Sequence, residues 1–65
     1  MEKERIHAIL QPFFHSDGFT ERQIKKRCSL GEFSELIRDG YIVEIAQDQH
    51  GGMYRVTPKG NSLWP

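Results

Sequence analysis

The sequence has few of the residues that cross-link very small proteins, and it lacks the long apolar runs that anchor proteins in membranes. Its 65 residues include a single cysteine, Cys28, which excludes an internal disulfide and a cysteine-cluster zinc site. A small domain without disulfides fits a reducing cytoplasm better than secretion. No apolar run approaches the roughly 18 residues that a membrane span requires, and no signal-peptide pattern opens the chain. We therefore expect a soluble, cytoplasmic protein.

The chain also lacks an excess of charge of either sign, because nine basic and nine acidic residues cancel. Strong nucleic-acid binders are usually basic overall, so this balance argues against a high-affinity, non-specific coat on DNA. The charges are nevertheless unevenly distributed. Residues 20–27 hold four basic residues and one acidic residue, a net +3, whereas residues 29–39 hold one basic and three acidic residues, a net −2. For contact with DNA, this distribution matters more than the total.

The length indicates one domain, residues 1–65, with a small core. A chain of this size buries only about 60% of the surface that its unfolded form exposes, so we expect marginal stability. Hydrophobic residues make up 37% and charged residues 28% of the sequence, which is typical of a globular protein. No room remains beside such a core for a deep substrate pocket, and we expect no enzymatic activity.

The first helix is predicted over residues 2–14. One apolar stripe with the spacing i, i+3, i+4, i+7 is formed by Ile6, Ile9, Leu10 and Phe13. Pro12 interrupts this pattern, because it removes a backbone hydrogen bond and crowds the carbonyl of Ala8. Either the helix ends near Leu10 or its last turn is kinked, and we favour the kinked turn.

Two helix starts follow in close succession. Thr20 with Gln23, and Ser29 with Glu32, have the spacing of a capping box. They predict a second helix over residues 21–27 and a third over residues 30–39, which ends before Gly40 as the residue beyond the C-cap. The inward-facing side chains of these two helices are expected to be Ile24, Cys28, Phe33, Leu36 and Ile37.

The apolar period then changes from helical to alternating. Residues 41–47 and 53–57 are predicted strands, and the turn composition of residues 48–52 joins them in a hairpin. Phe19 and Thr20 form a short extended segment before the second helix. Thr57 followed by Pro58 predicts a last helical turn, which would place Leu63 and Trp64 on the core.

This order of elements, and three short motifs within it, resembles the winged helix-turn-helix family. The motifs are GFT at 18–20, ELIRDGYI at 35–42 and YRVTPKG at 54–60. The resemblance implies an α+β fold of three helices followed by a β-hairpin wing. It also implies DNA binding, often in transcriptional control, with the third helix in the major groove and the wing against the adjacent backbone or minor groove.

In that setting the candidate contacts to DNA lie on the second helix, at the start of the third and around the wing. We predict phosphate or groove contacts by Arg22, Lys25, Lys26, Arg27, Ser34, His50, Gly51, Arg55 and Lys59. Basic side chains neutralise phosphates, and glycines let a hairpin tip approach a groove closely. The alternative interpretations are a solvated helix face and an ordinary hairpin turn. Glu32 and Glu35 are expected to point outward from a short third helix, toward phosphates that they would repel.

Other chemistry finds little support in the sequence. His7, His15 and His50 lack metal-ligand spacing, so we expect neither a metal nor a cofactor. Cys28 is predicted to be a small core residue rather than a nucleophile. The partners expected are double-stranded DNA and, because a monomer would bind weakly, a second copy or another protein.

A module for protein interaction is the alternative function. In that case the acidic third helix and the aromatic ends of the chain would contact the partner. Phe14 is either partly exposed at such an interface or covered by Trp64.

Overall fold

A computed structural model describes residues 1–49 and 51–63 of the chain. These residues form an α+β fold with four α-helices and a three-stranded antiparallel sheet. The elements in chain order are α1 (Lys3–Leu10), a 3₁₀ turn (Gln11–Phe13), β1 (Phe19–Thr20), α2 (Glu21–Lys25), α3 (Leu30–Arg38), β2 (Ile42–Asp48), β3 (Gly51–Val56) and α4 (Pro58–Asn61). None of the described helices has the length and apolar character needed to cross a bilayer.

The first helix ends earlier than the favoured prediction. Its α-helical part stops at Leu10, and the chain continues through a 3₁₀ turn that contains Pro12. Proline cannot supply the hydrogen bond that would continue the α-helix, so the chain changes to a tighter turn that still brings Phe13 into the core. The stripe of Ile6, Ile9 and Leu10 is buried as predicted.

Both predicted capping boxes are confirmed. The Thr20 hydroxyl accepts from the Gln23 amide at 3.1 Å, and the Gln23 side chain accepts from the Thr20 amide at 2.8 Å. The same reciprocal pair joins Ser29 and Glu32, at 3.1 and 2.9 Å. The second helix is shorter than predicted, because it ends at Lys25 rather than near residue 27.

The third helix ends at Arg38, and Gly40 follows it with φ +80°, a conformation that favours glycine. Phe33 and Leu36 are buried, but the prediction that Ile37 is buried is wrong, since Ile37 is 41% exposed. Phe33 and Leu36 define the buried face of α3. Ile37 follows Leu36 by one residue and is rotated about 100° from it, to the edge of that face.

The predicted hairpin is confirmed, with strands that extend closer to the turn than expected. The sheet order is β1-β3-β2, and Phe19 pairs with Tyr54 while Ile42 pairs with Val56. The inner face of the sheet is therefore apolar and aromatic. An irregularity between Glu44 and Ala46 interrupts the ladder on β2.

Aromatic contacts in the core join the 3₁₀ turn, β1, α3 and β3. The rings of Phe13 and Phe19 stack at 4.3 Å, and Phe33 meets Tyr54 edge-on at 5.2 Å. Phe14 is only 9% exposed, which excludes the first of the two alternatives given for it, partial exposure at an interface. The predicted cover, Trp64, lies outside the described residues.

The chain after β3 closes on the core as predicted. Thr57 caps α4 by accepting from the Gly60 amide, with Pro58 at the first helical positions. Leu63 and Cys28 are half-buried and pack against the core, so the expectation that Cys28 faces inward is confirmed. Burial raises the pKa of the Cys28 thiol, which lowers its reactivity at neutral pH.

Candidate nucleic-acid interface

The described residues form no pocket and bring no three metal-binding side chains together, so the candidate site is a surface. Its centre is the outward face of α2. Ile24 anchors the opposite face of this helix in the core, and this anchoring directs Arg22 and Lys26 into solvent. Within residues 1–49 and 51–63, neither side chain makes an ion pair or a hydrogen bond. Both cations are therefore available to an external anion.

Lys25 occupies the side of α2 that faces α3. Its ammonium lies 3.2 Å from the Glu21 carboxylate, one helical turn earlier, and 5.6 Å from the centre of the Phe33 ring. An exposed pair with this i, i+4 spacing is weak. A phosphate can therefore compete with Glu21 for this ammonium.

Arg27 has a different role from the other three basic residues. Its guanidinium donates to the carbonyl of Ala8 at 3.0 Å and to the carbonyl of Ile9 at 3.1 Å. In a continuous α-helix the Ala8 carbonyl would accept from the amide of residue 12, but Pro12 has no amide hydrogen. Arg27 supplies the missing donor at the end of α1 and is withdrawn from the outward face of α2.

The two carboxylates of α3 that were expected to face phosphates have partners within the chain. Glu32 forms a two-pronged pair with Arg5, at 2.8 and 3.0 Å. The hydrogen bond from Arg5, aided by the Ser29 amide, lowers the pKa of Glu32 to about 2. Glu35 lies 3.7 Å from the amino nitrogen of Met1. Both carboxylates are directed toward the start of the chain and α1, because that is where their partners lie.

The two charged side chains on the exposed side of α3, Glu35 and Arg38, each lie near a group of opposite charge in the chain. Leu30 is 66% exposed, Gly31 and Ser34 are exposed beside it, and Arg38 is engaged by Asp39 at 3.2 Å. Leu30 and Gly31 were not among the residues predicted from the sequence. No local signal predicted this exposure, because Leu30 has the i, i+3 spacing to the buried Phe33 that is typical of a shared apolar face.

The hairpin has one basic side chain on its outer side, and two carboxylates lie near the Tyr54 phenol on its inner side. Arg55 is exposed on β3 and, in the described part of the chain, has no partner. Gly51 has φ +116°, and the predicted contact His50 lies outside the described residues. On the inner side, burial raises the pKa of the Tyr54 phenol, and the carboxylates of Glu44 and Glu21 raise it further.

Lys59 lies apart from the other basic residues. Its ammonium donates to the Asp39 carbonyl at 2.6 Å and is 4.6 Å from the centre of the Tyr41 ring. This position is at the C-terminal end of α3, whereas α2 joins its N-terminal end. A helix of nine residues separates the two ends by roughly 13 Å. The structure thus groups Arg22, Lys25 and Lys26 and assigns Lys59 to holding α4.

Comparison of the chain with protein-family models, with curated proteins and with solved structures found no match. The arguments for function therefore depend on the placement of charge and apolar surface in this molecule.

Proposed function

We propose that this chain is a small cytoplasmic DNA-binding protein of winged-helix type that acts in transcriptional control. It contacts the duplex through α2, the start of α3 and the β2–β3 hairpin. The observation that carries the proposal is the separation of charge around α3. Arg5 holds the Glu32 carboxylate against α1, while Arg22 and Lys26 stand exposed and unpaired in the described part of the chain.

The order of the elements supports the same proposal. A helix, a short strand, two helices and a hairpin follow one another, and the short strand β1 pairs with β3 of the hairpin. This arrangement leaves the outward side of α3 uncovered between α2 and the hairpin. A helix of this kind fits the width of the major groove, and the cations of α2 then meet the phosphates beside it.

The number of available cations predicts weak and salt-dependent binding. Arg22, Lys25, Lys26 and Arg55 can neutralise about four phosphates, so affinity should fall roughly 100-fold between 50 and 200 mM salt. A monomer of this kind needs a second copy or a further protein for specific recognition. No catalytic group, metal or cofactor has a role in this proposal.

The test is fluorescence anisotropy of a labelled 20-base-pair random duplex titrated with the protein at both salt concentrations. Lys26→Glu should reduce affinity at least tenfold, because it replaces an attraction to phosphate by a repulsion. Lys3→Glu is the matched control, since it makes the same charge change on α1, an element outside the proposed contact set. Circular dichroism of both variants checks the fold. Absence of binding at 50 mM salt, or equal losses in the two variants, would contradict the proposal.

A second candidate function is protein interaction, and a specific observation favours it. Val43 and Ile45 are each 44% exposed on β2, which is an edge strand of the sheet. Exposed apolar side chains on an edge strand favour contact with another chain. Ile45→Gln, which adds no charge, should abolish such a contact and change the affinity for DNA little, so the two functions can be separated by measuring self-association and anisotropy on this variant.

A further inference from the structure

We infer that Leu30 is a specificity-determining residue, which contacts the 5-methyl group of thymine in the major groove while Gly31 allows α3 to approach closely. This inference rests on the proposed function. It names the chemistry that the start of α3 recognises, a thymine-containing duplex.

The first observation is the exposure of Leu30. At 66% it is the most exposed of the large hydrophobic side chains in the described residues, and it is not part of the core cluster. It stands directly after the cap Ser29, a position for which the helix needs no apolar side chain. The fold therefore gives no reason for leucine at this position.

The second observation is the glycine that follows. Gly31 lies within α3, where glycine is a poor helix former. A Cβ atom built there would have the Ser29 hydroxyl as its nearest neighbour, at 3.9 Å. Alanine would therefore fit without a clash. The fold therefore does not require glycine at this position. Because glycine has no side chain, another surface can come close to the helix backbone here.

The third observation is the stripe to which Leu30 belongs. Leu30, Ser34 and Ile37 have the spacing i, i+4, i+7 and therefore lie along one side of α3. Two of these side chains are apolar and exposed, and the third carries a hydroxyl. Arg38, four residues after Ser34, continues the same side at its C-terminal end, where Asp39 offsets its charge. Lys25, over the Phe33 ring, marks the boundary of this stripe toward α2.

The charges around the Leu30–Ser34–Ile37 stripe indicate which kind of partner binds there. A neutral stripe beside the exposed cations Arg22 and Lys26 complements a polyanion better than it complements an apolar protein surface. In the major groove, the group that an apolar side chain can distinguish is the methyl group of thymine. The hydroxyl of Ser34 can donate to, or accept from, a base edge next to it.

The experiment compares two 20-base-pair duplexes, one of alternating dA and dT and one in which every thymine is replaced by uracil. They have the same phosphates and the same hydrogen-bonding groups and differ by the 5-methyl groups. Anisotropy at 50 mM salt should show affinity for the thymine duplex about fourfold higher for each methyl group contacted. Leu30→Ala should bind both duplexes equally, with the affinity of wild type for the uracil duplex.

Two further variants make the result specific. Val43→Ala truncates another exposed apolar residue and should keep the preference for thymine, which distinguishes a methyl contact from a difference in duplex shape. Gly31→Ala should raise the melting temperature and yet weaken binding to the thymine duplex, because its methyl group holds α3 away from the bases.

The outcomes separate this inference from the proposed function. Salt-dependent binding with equal affinity for the two duplexes, or a preference that persists in Leu30→Ala, would overturn the inference and leave DNA binding in place. Absence of binding to either duplex at 50 mM salt would overturn both.

Discussion

The two ends of α3 are treated differently by the rest of the molecule. At the C-terminal end, the protein's own chain satisfies the polar groups. The Thr57 hydroxyl donates to the Gly40 carbonyl, and the Lys59 ammonium donates to the Asp39 carbonyl. Gly60 packs against the Tyr41 backbone so closely that a Cβ atom would meet its carbonyl oxygen at 2.5 Å. This end is therefore fixed by contacts.

At the N-terminal end, the cap Ser29 and its partner Glu32 satisfy the first turn, and the outward surface is left bare. Leu30 and Gly31 are exposed at this end, and the cations Arg22 and Lys26 nearby on α2 have no partner in the described residues. Basic residues of this one chain therefore have two different roles. Basic side chains near backbone carbonyls that lack another donor stabilise the fold. Basic side chains beside the exposed stripe of α3 remain available to a partner.

Gly60→Ala should give the largest change, at the fixed end. The added methyl group would clash with the Tyr41 carbonyl and with Val56, and backbone cannot rotate away as a side chain can. We expect a loss of about 3 kcal/mol in the free energy of unfolding, measured by urea denaturation. Unchanged stability would show that α4 is not held tightly against α3.

Thr57→Val should have the next largest effect. It keeps the shape of the side chain but removes both the cap on the Gly60 amide and the bond to the Gly40 carbonyl. We expect destabilisation by about 1–2 kcal/mol. Thr57→Ser, which retains the hydroxyl, is the control and should recover most of the loss. A loss in Thr57→Ser as large as that in Thr57→Val would contradict the assignment to these hydrogen bonds, because serine retains the hydroxyl that makes them.

At the bare end, a glycine substitution should have the opposite sign. Gly31→Ala meets no close neighbour and improves helix propensity, so we expect stabilisation by about 0.5 kcal/mol. The same denaturation experiment measures it beside Gly60→Ala. Destabilisation by Gly31→Ala would mean that the two ends of α3 do not differ as described.

The smallest effect expected is a pH dependence at the Arg5–Glu32 pair. The pKa of Glu32 is about 2 in the folded protein and is 4.5 for the free group. A lowered pKa stabilises the fold above pH 4.5, and this contribution is lost as the pH falls from 4.5 toward 2. Glu32→Gln removes the charge and can still accept from Ser29. The stability difference between wild type and Glu32→Gln should therefore shrink over this range, and a constant difference would contradict the assignment.

The outcome for individual residues shows what could be predicted and why. The capping boxes at Thr20 and Ser29 were predictable, since each joins residues three positions apart. The hairpin followed from the alternation of its strands. The burial of Ile37 was misjudged, because the width of the buried face depends on how α3 packs against the sheet.

The interface was less predictable than the fold. Arg22, Lys25 and Lys26 could be selected from their clustering and helical spacing. The roles of Arg27 and Glu32 could not, because their partners are distant in the chain: Arg27 bonds to Ala8 and Ile9, and Glu32 pairs with Arg5. The exposure of Leu30 depended in the same way on the packing of α3.

Local sequence was enough to predict where the helices start and where the strands lie. These properties depend on hydrogen bonds and spacings within a few residues. Long-range packing, in contrast, sets which charged side chains are paired within the fold and which remain exposed. A charged side chain binds whichever partner the fold brings within about 3 Å of it. Arg27 can replace the donor that Pro12 lacks because α2 packs beside α1.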